Sequence, residues 1–300
     1  MKRIKVIGFD MDYTIVRYKS KHFEQATYDI TIDKLVKSFG YPKALKNFKF
    51  DFNLAIRGLA LDRELGNVIK VSKFGKVKQS FHGTVEQDYE SLQNHYRGLS
   101  IDLASDRYVT IDTSFSIAHA ALYSQMVDYM DANPNKILKS YREVEKEIKA
   151  AIDIAHRDNT LKSVVIDDIK KFIIPDPDTV KVLERFKKAG KKIWVITNSD
   201  YEYTKVMLDY TINPYLKDHE NWMELFELVI TSAQKPRFFT DSPELFKIHP
   251  ETGFMKSFFG PIEPGCYHGG NATLLQEEFN YSGEDILYIG DHIYGDIVTL

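Results

Sequence analysis

Four short runs along the chain place apolar residues side by side without polar alternation: Val6 to Phe9, Ile193 to Ile196, Leu228 to Ile230 and Ile286 to Ile289. Each ends abruptly in a polar or glycine-containing turn, at Asp10, Thr197, Thr231 and Gly290 respectively. Unbroken β-rich runs of this kind predict strands covered on both faces, as in a parallel sheet flanked by helices. Pro177 to Ala189 (PDTVKVLERFKKA) repeats Val180, Leu183 and Phe186 at a helical interval and stops at Gly190, which predicts a crossover helix with a glycine C-terminal cap. The predicted fold class is α/β, a Rossmann-like parallel sheet with helices on its faces. In such sheets ligands bind at the carboxyl ends of the strands, so the polar groups just after the four runs are expected to converge.

The stretch between Phe9 and Ile193 is far too long for one crossover helix, which predicts a large α+β cap inserted into the core. The expected boundaries are 1–20 and 165–300 for the core and 21–164 for the cap. Arg57 to Gly83 has the turn pairs Gly66-Asn67 and Phe74-Gly75 between alternating segments and reads as a β-meander. Ser116 to Asp131 and Ser140 to Arg157 read as long helices separated by the breaker Asn133-Pro134. The lysine-rich segment Lys34 to Phe50 reads as an amphipathic helix and loop with a solvated face, in preference to a nucleic-acid patch. Thr240 to Pro264 reads as a hairpin or flap before the last strand.

Composition narrows the ligand class. Three hundred residues with 43% hydrophobic content bury a sizeable core. A net charge of only −3 gives no global basic field for nucleic acid or an anionic membrane, so a small molecule is the expected ligand. The single cysteine, Cys266, excludes an intrachain disulfide framework and fits a reducing cytoplasm. The nine histidines show no zinc-protease spacing. The apolar run before Asp10 is too short for a signal peptide or a membrane span and reads as the first buried strand.

The chemistry gathers at the strand ends. Asp10-Met11-Asp12 places two carboxylates at i and i+2, a spacing that lets one act as nucleophile and the other project toward a leaving group. An Asx-rich turn also fits this pair taken alone; a calcium loop does not, because the remaining ligands of an EF-hand are missing. Thr197-Asn198-Ser199 offers small donors for phosphate oxygens, or caps for a helix over Asp200 to Leu208. Lys235, followed by Pro236, can neutralise a phosphate, although a lone lysine is ordinarily a surface charge. Gly290-Asp291 and Gly295-Asp296 are two turns, or a hard oxygen ligand for Mg²⁺ at Asp291 with a brace at Asp296 that can bond Lys235. Their joint order is what excludes coincidence: acidic pair, hydroxyl turn, lysine, acidic pair, each at a strand end of one sheet.

These four motifs resemble those of the haloacid dehalogenase superfamily of phosphotransferases. Within it, FDMDYTIVRY, TNSDYEYT, KPRFF and LYIGDHIYGDI, together with the cap segment RGLALDRELGNVIKVSKFGKV, resemble the cytosolic purine 5′-nucleotidase family over nearly the whole chain. The resemblance implies hydrolysis of nucleoside 5′-monophosphates such as IMP and GMP through an aspartyl-phosphate. It implies Asp10 as nucleophile, Asp12 as general acid and base, Thr14 as support, and Mg²⁺ held by Asp10, the Asp12 backbone carbonyl and Asp291. Thr197, Asn198, Ser199 and Lys235 would hold the phosphate. By position, Phe115 would stack on the base, and Lys149, Asp153, His156 and Lys162 would give polar contacts to the substrate. Lys149, Asp153 and His156 do share a helix face.

The sequence departs from purine-preferring relatives at Ser116 (commonly asparagine), Lys149 (arginine) and Arg157 (tyrosine), and a lysine at 149 lacks the planar fork of arginine. The same core could act on another phosphomonoester, transfer phosphate to an acceptor, or bind nucleotide without turnover. Relatives form homo-oligomers and continue well past the last motif, so the resemblance also implies an oligomer and a chain that extends beyond Leu300.

Overall fold

A computed structural model describes residues 3–298. The described residues form two compact units, one within 1–19 and 169–300 and the other Ser20–Asp168.

The first unit is built on a seven-stranded, mostly parallel sheet with helices. Its strand order is Met255–Ser257, Leu245–Ile248, Gly265–Gly269, Leu228–Thr231, Lys192–Ile196, Val6–Phe9, Ile286–Ile289. The last five in this order pair parallel, and Leu245–Ile248 with Met255–Ser257 forms the antiparallel hairpin expected in the 240–264 region. All residues of Val6–Phe9 and Leu228–Thr231 are buried, which is why these runs carry no polar alternation. The helix Pro177–Lys188 starts as its sequence predicts: the Asp176 side chain accepts from the N–H groups of Asp178 and Thr179, and Pro177 occupies the first turn. It ends at Gly190, whose φ of 76° only glycine adopts without strain.

One element departs from the sequence reading. Between the hairpin and the final strand the chain adds a further parallel strand, Gly265–Gly269, and a helix, Ala272–Phe279. GCYHG has glycine at both ends and a histidine inside, so neither an apolar run nor an alternation marks it. Its ladders to Leu228–Thr231 on one side and Leu245–Ile248 on the other hold it in the sheet.

The second unit joins a five-stranded antiparallel sheet to long helices. Its strand order is Val85–Glu86, Val77–His82, Asn67–Val71, Leu59–Asp62, Tyr108–Thr110, so the meander at 57–83 forms with its turns at the glycine pairs. Ile117–Ala132 and Tyr141–Arg157 match the two predicted helices, the second opened by a reciprocal capping box between Ser140 and Glu143. A longer helix, Ser20–Ser38, packs on both, and Tyr28, Leu35, Leu122, Tyr123, Met126, Val144 and Ile148 lie in the shared core. The helix in the basic segment thus ends at Ser38, and Lys43–Asn47 is a short 3₁₀ turn.

Candidate functional site

In the first unit, four neighbouring parallel strands deliver their C-terminal loops to one place. The Asp10 N–H donates to the Ile289 carbonyl at 2.8 Å, tying the first strand end to the last. After Asp10 the chain turns sharply: the N–H groups of Thr14, Ile15 and Val16 all point at the Met11 carbonyl, at 3.3, 3.0 and 2.9 Å, and Tyr13 takes a left-handed φ of 55°. The Thr197 loop and the Lys235 loop are stapled together. Ser232 N–H donates to Ser199 O at 2.8 Å and Ala233 N–H to Thr197 O at 3.0 Å. The Asn198 amide accepts from Lys235 N–H at 2.6 Å and donates to Lys235 O at 3.2 Å.

Lys235 is the hub. Its ammonium contacts Asp10 Oδ1 and Asp296 Oδ1, both at 2.7 Å, and donates to the Tyr288 hydroxyl at 3.0 Å. An ammonium has three hydrogens, so all are engaged, and the lysine is a buried cation rather than a surface charge. Asp296 is equally committed, because its Oδ2 accepts from His292 N–H at 3.0 Å and Tyr288 lies 3.2 Å from its Oδ1. Gly290 makes this possible: a Cβ there would sit 2.4 Å from the Asp296 carboxyl carbon. The two glycine-aspartate pairs are therefore coupled, since the first glycine leaves room for the second aspartate.

Asp12 faces a different set of partners. Its Oδ2 accepts from the Ser199 hydroxyl at 2.8 Å and its Oδ1 from the Tyr18 hydroxyl at 2.6 Å. Ser199 and Asn198, expected as phosphate donors or helix caps, thus bond the Asp12 carboxylate and the Lys235 backbone. The cap of helix Tyr201–Thr211 is Asp200, which accepts from Tyr203 N–H. Thr197 is buried and its hydroxyl oxygen accepts from Ser199 N–H at 3.1 Å. The Thr14 hydroxyl is buried without a partner, and Thr14 lines a cavity of about 440 Å³ with Phe9, Ile15, Val182 and Phe186.

The charges at this site are unbalanced. Asp10, Asp291 and Asp296 each bring an oxygen within 4.8 Å of the others. The Asp10 carboxyl is pushed up to about 7, chiefly by burial, with Lys235 opposing the rise and Asp12 and Asp296 adding to it. The Asp291 carboxyl is raised as well, first by burial and then by Asp296. Asp291 Oδ2 is buried and has no hydrogen-bond partner among the described residues. Clustered carboxylates, one of them with an unsatisfied oxygen, form a donor set that suits a hard divalent cation. Asp296, whose oxygens are already bonded, fits a bracing role within that set, and Asp291 a ligand role.

In the second unit, Phe115 sits in the 3₁₀ turn Ser114–Ser116 and meets the Phe23 ring edge-on at 5.1 Å. Lys149 and Asp153 line a polar cavity of about 540 Å³ with Arg63, Asp106 and Glu145. His156 is half-buried near the end of the same helix, and Lys162 is half-buried on the next, Thr160–Asp167. The structure thus brings Lys149 and Asp153 to one cavity, and Phe115, His156 and Lys162 are not among its lining residues.

The sequence reading passed over Tyr18, Tyr203 and Tyr288, whose hydroxyls meet Asp12, Tyr18 and the Lys235–Asp296 pair. It also passed over Glu24, fully buried, whose carboxylate accepts from Ala118 N–H at 2.5 Å at the start of helix Ile117–Ala132. Ser116, at the N-cap of that helix, makes no side-chain capping bond, so a carboxyl oxygen of Glu24 accepts there instead. Among the described residues no helix is long and apolar enough to cross a membrane.

A sequence profile described as the 5′ nucleotidase family matches residues 1–300. A 5′-nucleotidase domain-containing protein of Dictyostelium discoideum is 27% identical over 305 residues, an alignment that covers 99% of this chain and 51% of that relative. The chain thus spans about half the length of the curated relative it matches. With the profile running from end to end, the chain belongs to the 5′ nucleotidase family.

Proposed function

We propose that the chain carries a Mg²⁺-dependent 5′-nucleotidase site that hydrolyses nucleoside 5′-monophosphates, IMP and GMP foremost, to nucleoside and phosphate. The observation that carries this reading is the contrast at Asp10, Asp291 and Asp296: three clustered carboxylates, with Asp296 saturated by Lys235 and His292 and Asp291 Oδ2 buried without a partner. The parallel strands that bear these loops support a Rossmann-like core of the haloacid dehalogenase type, with residues 21–164 as its cap.

In this reading Asp10 attacks phosphorus. The new Asp10–phosphorus bond forms as the bond to the ribose 5′ oxygen breaks, and a proton held by Asp12 passes to that oxygen. Asp12 then takes a proton from the water that attacks the aspartyl-phosphate, which releases phosphate and restores the Asp10 carboxylate. Lys235 exchanges one of its three bonds for a phosphoryl oxygen, and Thr197, Asn198 and Ser199 wall the phosphate site. Mg²⁺, held by the Asp10 carboxylate, the Asp12 backbone carbonyl and Asp291, would offset the crowded negative charge when bound. Phe115, Lys149, Asp153, His156 and Lys162 are proposed to recognise base and ribose. Homo-oligomeric assembly and a cytoplasmic location belong to the same reading.

The test is phosphate release from a panel of nucleoside monophosphates with and without Mg²⁺, with Asp10→Asn as control. The expected result is Mg²⁺-dependent release, fastest with purine nucleotides and abolished in the variant. Release that persists in Asp10→Asn, or none from any nucleotide, would contradict it.

A further inference from the structure

The Asp12 backbone is fixed by the turn that follows it, but its carboxyl can rotate unless something holds it. Two hydroxyls do so, one six residues on and one from a distant segment. Ser199 Oγ bonds one oxygen at 2.8 Å, and the Tyr18 hydroxyl bonds the other at 2.6 Å. Tyr18 belongs to the short strand Arg17–Tyr18, which pairs with Ile173–Ile174, and its side chain is buried.

The Tyr18 hydroxyl lies 2.9 Å from the Tyr203 hydroxyl, and the direction of that bond follows from counting protons. A phenol carries one hydrogen, and Asp12 Oδ1 accepts it, which leaves the other carboxyl oxygen to carry the proton that Asp12 delivers. The hydrogen of Tyr18 is committed to Asp12, so at the second contact Tyr203 donates and Tyr18 accepts. Tyr203 is itself set by local sequence: it is the third residue of helix Tyr201–Thr211, and its N–H caps onto Asp200 at 2.9 Å. The chain of bonds therefore runs from a helix cap through Tyr203 and Tyr18 to one oxygen of Asp12.

We infer that Tyr18 and Tyr203 are positioning residues for proton delivery: Tyr203 orients the Tyr18 hydroxyl, and Tyr18 fixes the Asp12 carboxyl in the rotamer that reaches the leaving oxygen. This rests on the reading of Asp12 as general acid. It goes beyond that reading by assigning the geometry of the acid to two tyrosines that follow the reactive residues of their motifs, neither of which touches the substrate in this account.

The consequence is dependence on the leaving group. An alkoxide such as the ribose 5′ oxygen needs a proton to depart, whereas a thiolate leaves without one. The comparison therefore uses IMP and its phosphorothiolate analogue, in which sulfur replaces the bridging 5′ oxygen, so that base and ribose contacts are the same. kcat/KM reports only the steps up to phosphoenzyme formation. For Tyr18→Phe it is expected to fall about 10- to 100-fold with IMP, a part of what a general acid contributes, and to change less than about 3-fold with the thiolate substrate. Tyr203→Phe is expected to lose about 3- to 10-fold with IMP, and the double variant to resemble Tyr18→Phe alone, since both act through one bond.

Equal losses on the two substrates would mean that the tyrosines only maintain the fold, and would overturn the inference; so would an undiminished rate with IMP. Asp12→Ala separates the two levels of the argument. If Asp12→Ala is selective for the oxygen substrate and Tyr18→Phe is not, the positioning role fails while the acid assignment stands. If Asp12→Ala shows no selectivity, the acid assignment fails and the positioning role with it. Should Tyr18→Phe not fold, Tyr203→Phe in the same comparison decides.

Discussion

The two units organise their candidate residues in opposite ways. In the first, the candidate side chains lie in the loops that follow parallel strands and each is tied to a loop from another strand: Asp10 to Lys235, Asp12 to Ser199, Asp296 to Lys235. In the second, Lys149 and Asp153 are exposed on a helix face and Phe115 stands on a single 3₁₀ turn. The difference fits the two tasks proposed for them. Covalent phosphoryl transfer requires charges fixed to within a fraction of an ångström. Recognition of a base by stacking and polar contacts tolerates more freedom and changes more readily by substitution, as Ser116, Lys149 and Arg157 illustrate.

Substitutions should show this asymmetry, beginning with the largest effect. Asp10→Asn removes the nucleophile and is expected to lower kcat by about 10⁴-fold or more. Asp291→Ala removes the cluster carboxylate whose buried oxygen is unsatisfied among the described residues, and should raise the Mg²⁺ concentration for half-activation by about 100-fold or more. Asp296→Asn should instead lower kcat about 10- to 100-fold with a much smaller shift in Mg²⁺ dependence, as expected when a supporting partner is lost. Titrating activity against Mg²⁺ for both variants sharpens the comparison, and identical shifts would erase the distinction between ligand and brace.

In the second unit the effects should be confined to binding. Phe115→Ala is expected to raise KM for a purine nucleotide about 10- to 100-fold, the worth of one base–aromatic stack, and to leave turnover of a simple aryl phosphate within about 2-fold. Equal effects on both would break the assignment of recognition to this unit.

The smallest effect concerns stability. Burial pushes the Glu24 carboxyl up to about 8 from an ordinary value near 4.5, opposed by the N–H groups of Ala118 and Ile117. Between these two values the unfolded chain releases a proton that the folded chain retains. Folding stability from this group is therefore complete at pH below about 4.5 and is lost as pH rises toward about 8. Glu24→Gln, which cannot ionise, should flatten the decline of Tm over that interval; an unchanged slope would show that another group is responsible.

How much of this was legible in the sequence depends on where the bonding partners lie. Asp10, Asp291 and Lys235 could be placed because each follows an apolar run or a fixed motif, and a parallel sheet converges such ends without further information. Tyr288 could not: inside Ile286 to Ile289 it reads as one more strand residue, and its hydroxyl partners Lys235 and Ile196 are remote in the chain. The contact between Tyr18 and Tyr203 is hidden for the same reason, since 185 residues separate them. Asn198 and Ser199 were assigned to phosphate or to a helix cap by residue type, whereas in the structure their side chains bond Lys235 and Asp12 and the cap falls to Asp200. Gly265–Gly269 escaped because strand character there comes from its two neighbours in the sheet rather than from its own residues. Local pattern reveals elements and their ends, while hydroxyl networks depend on which ends the fold brings together.

The central claim is covalent catalysis by Asp10, and one measurement addresses it directly. The protein is mixed with nucleoside monophosphate labelled at phosphorus and Mg²⁺, quenched with acid within one turnover, and digested for peptide mapping. The account predicts acid-stable label on the peptide that contains Asp10, and none in Asp10→Asn. Phosphate release at a normal rate with no label on that peptide would contradict it.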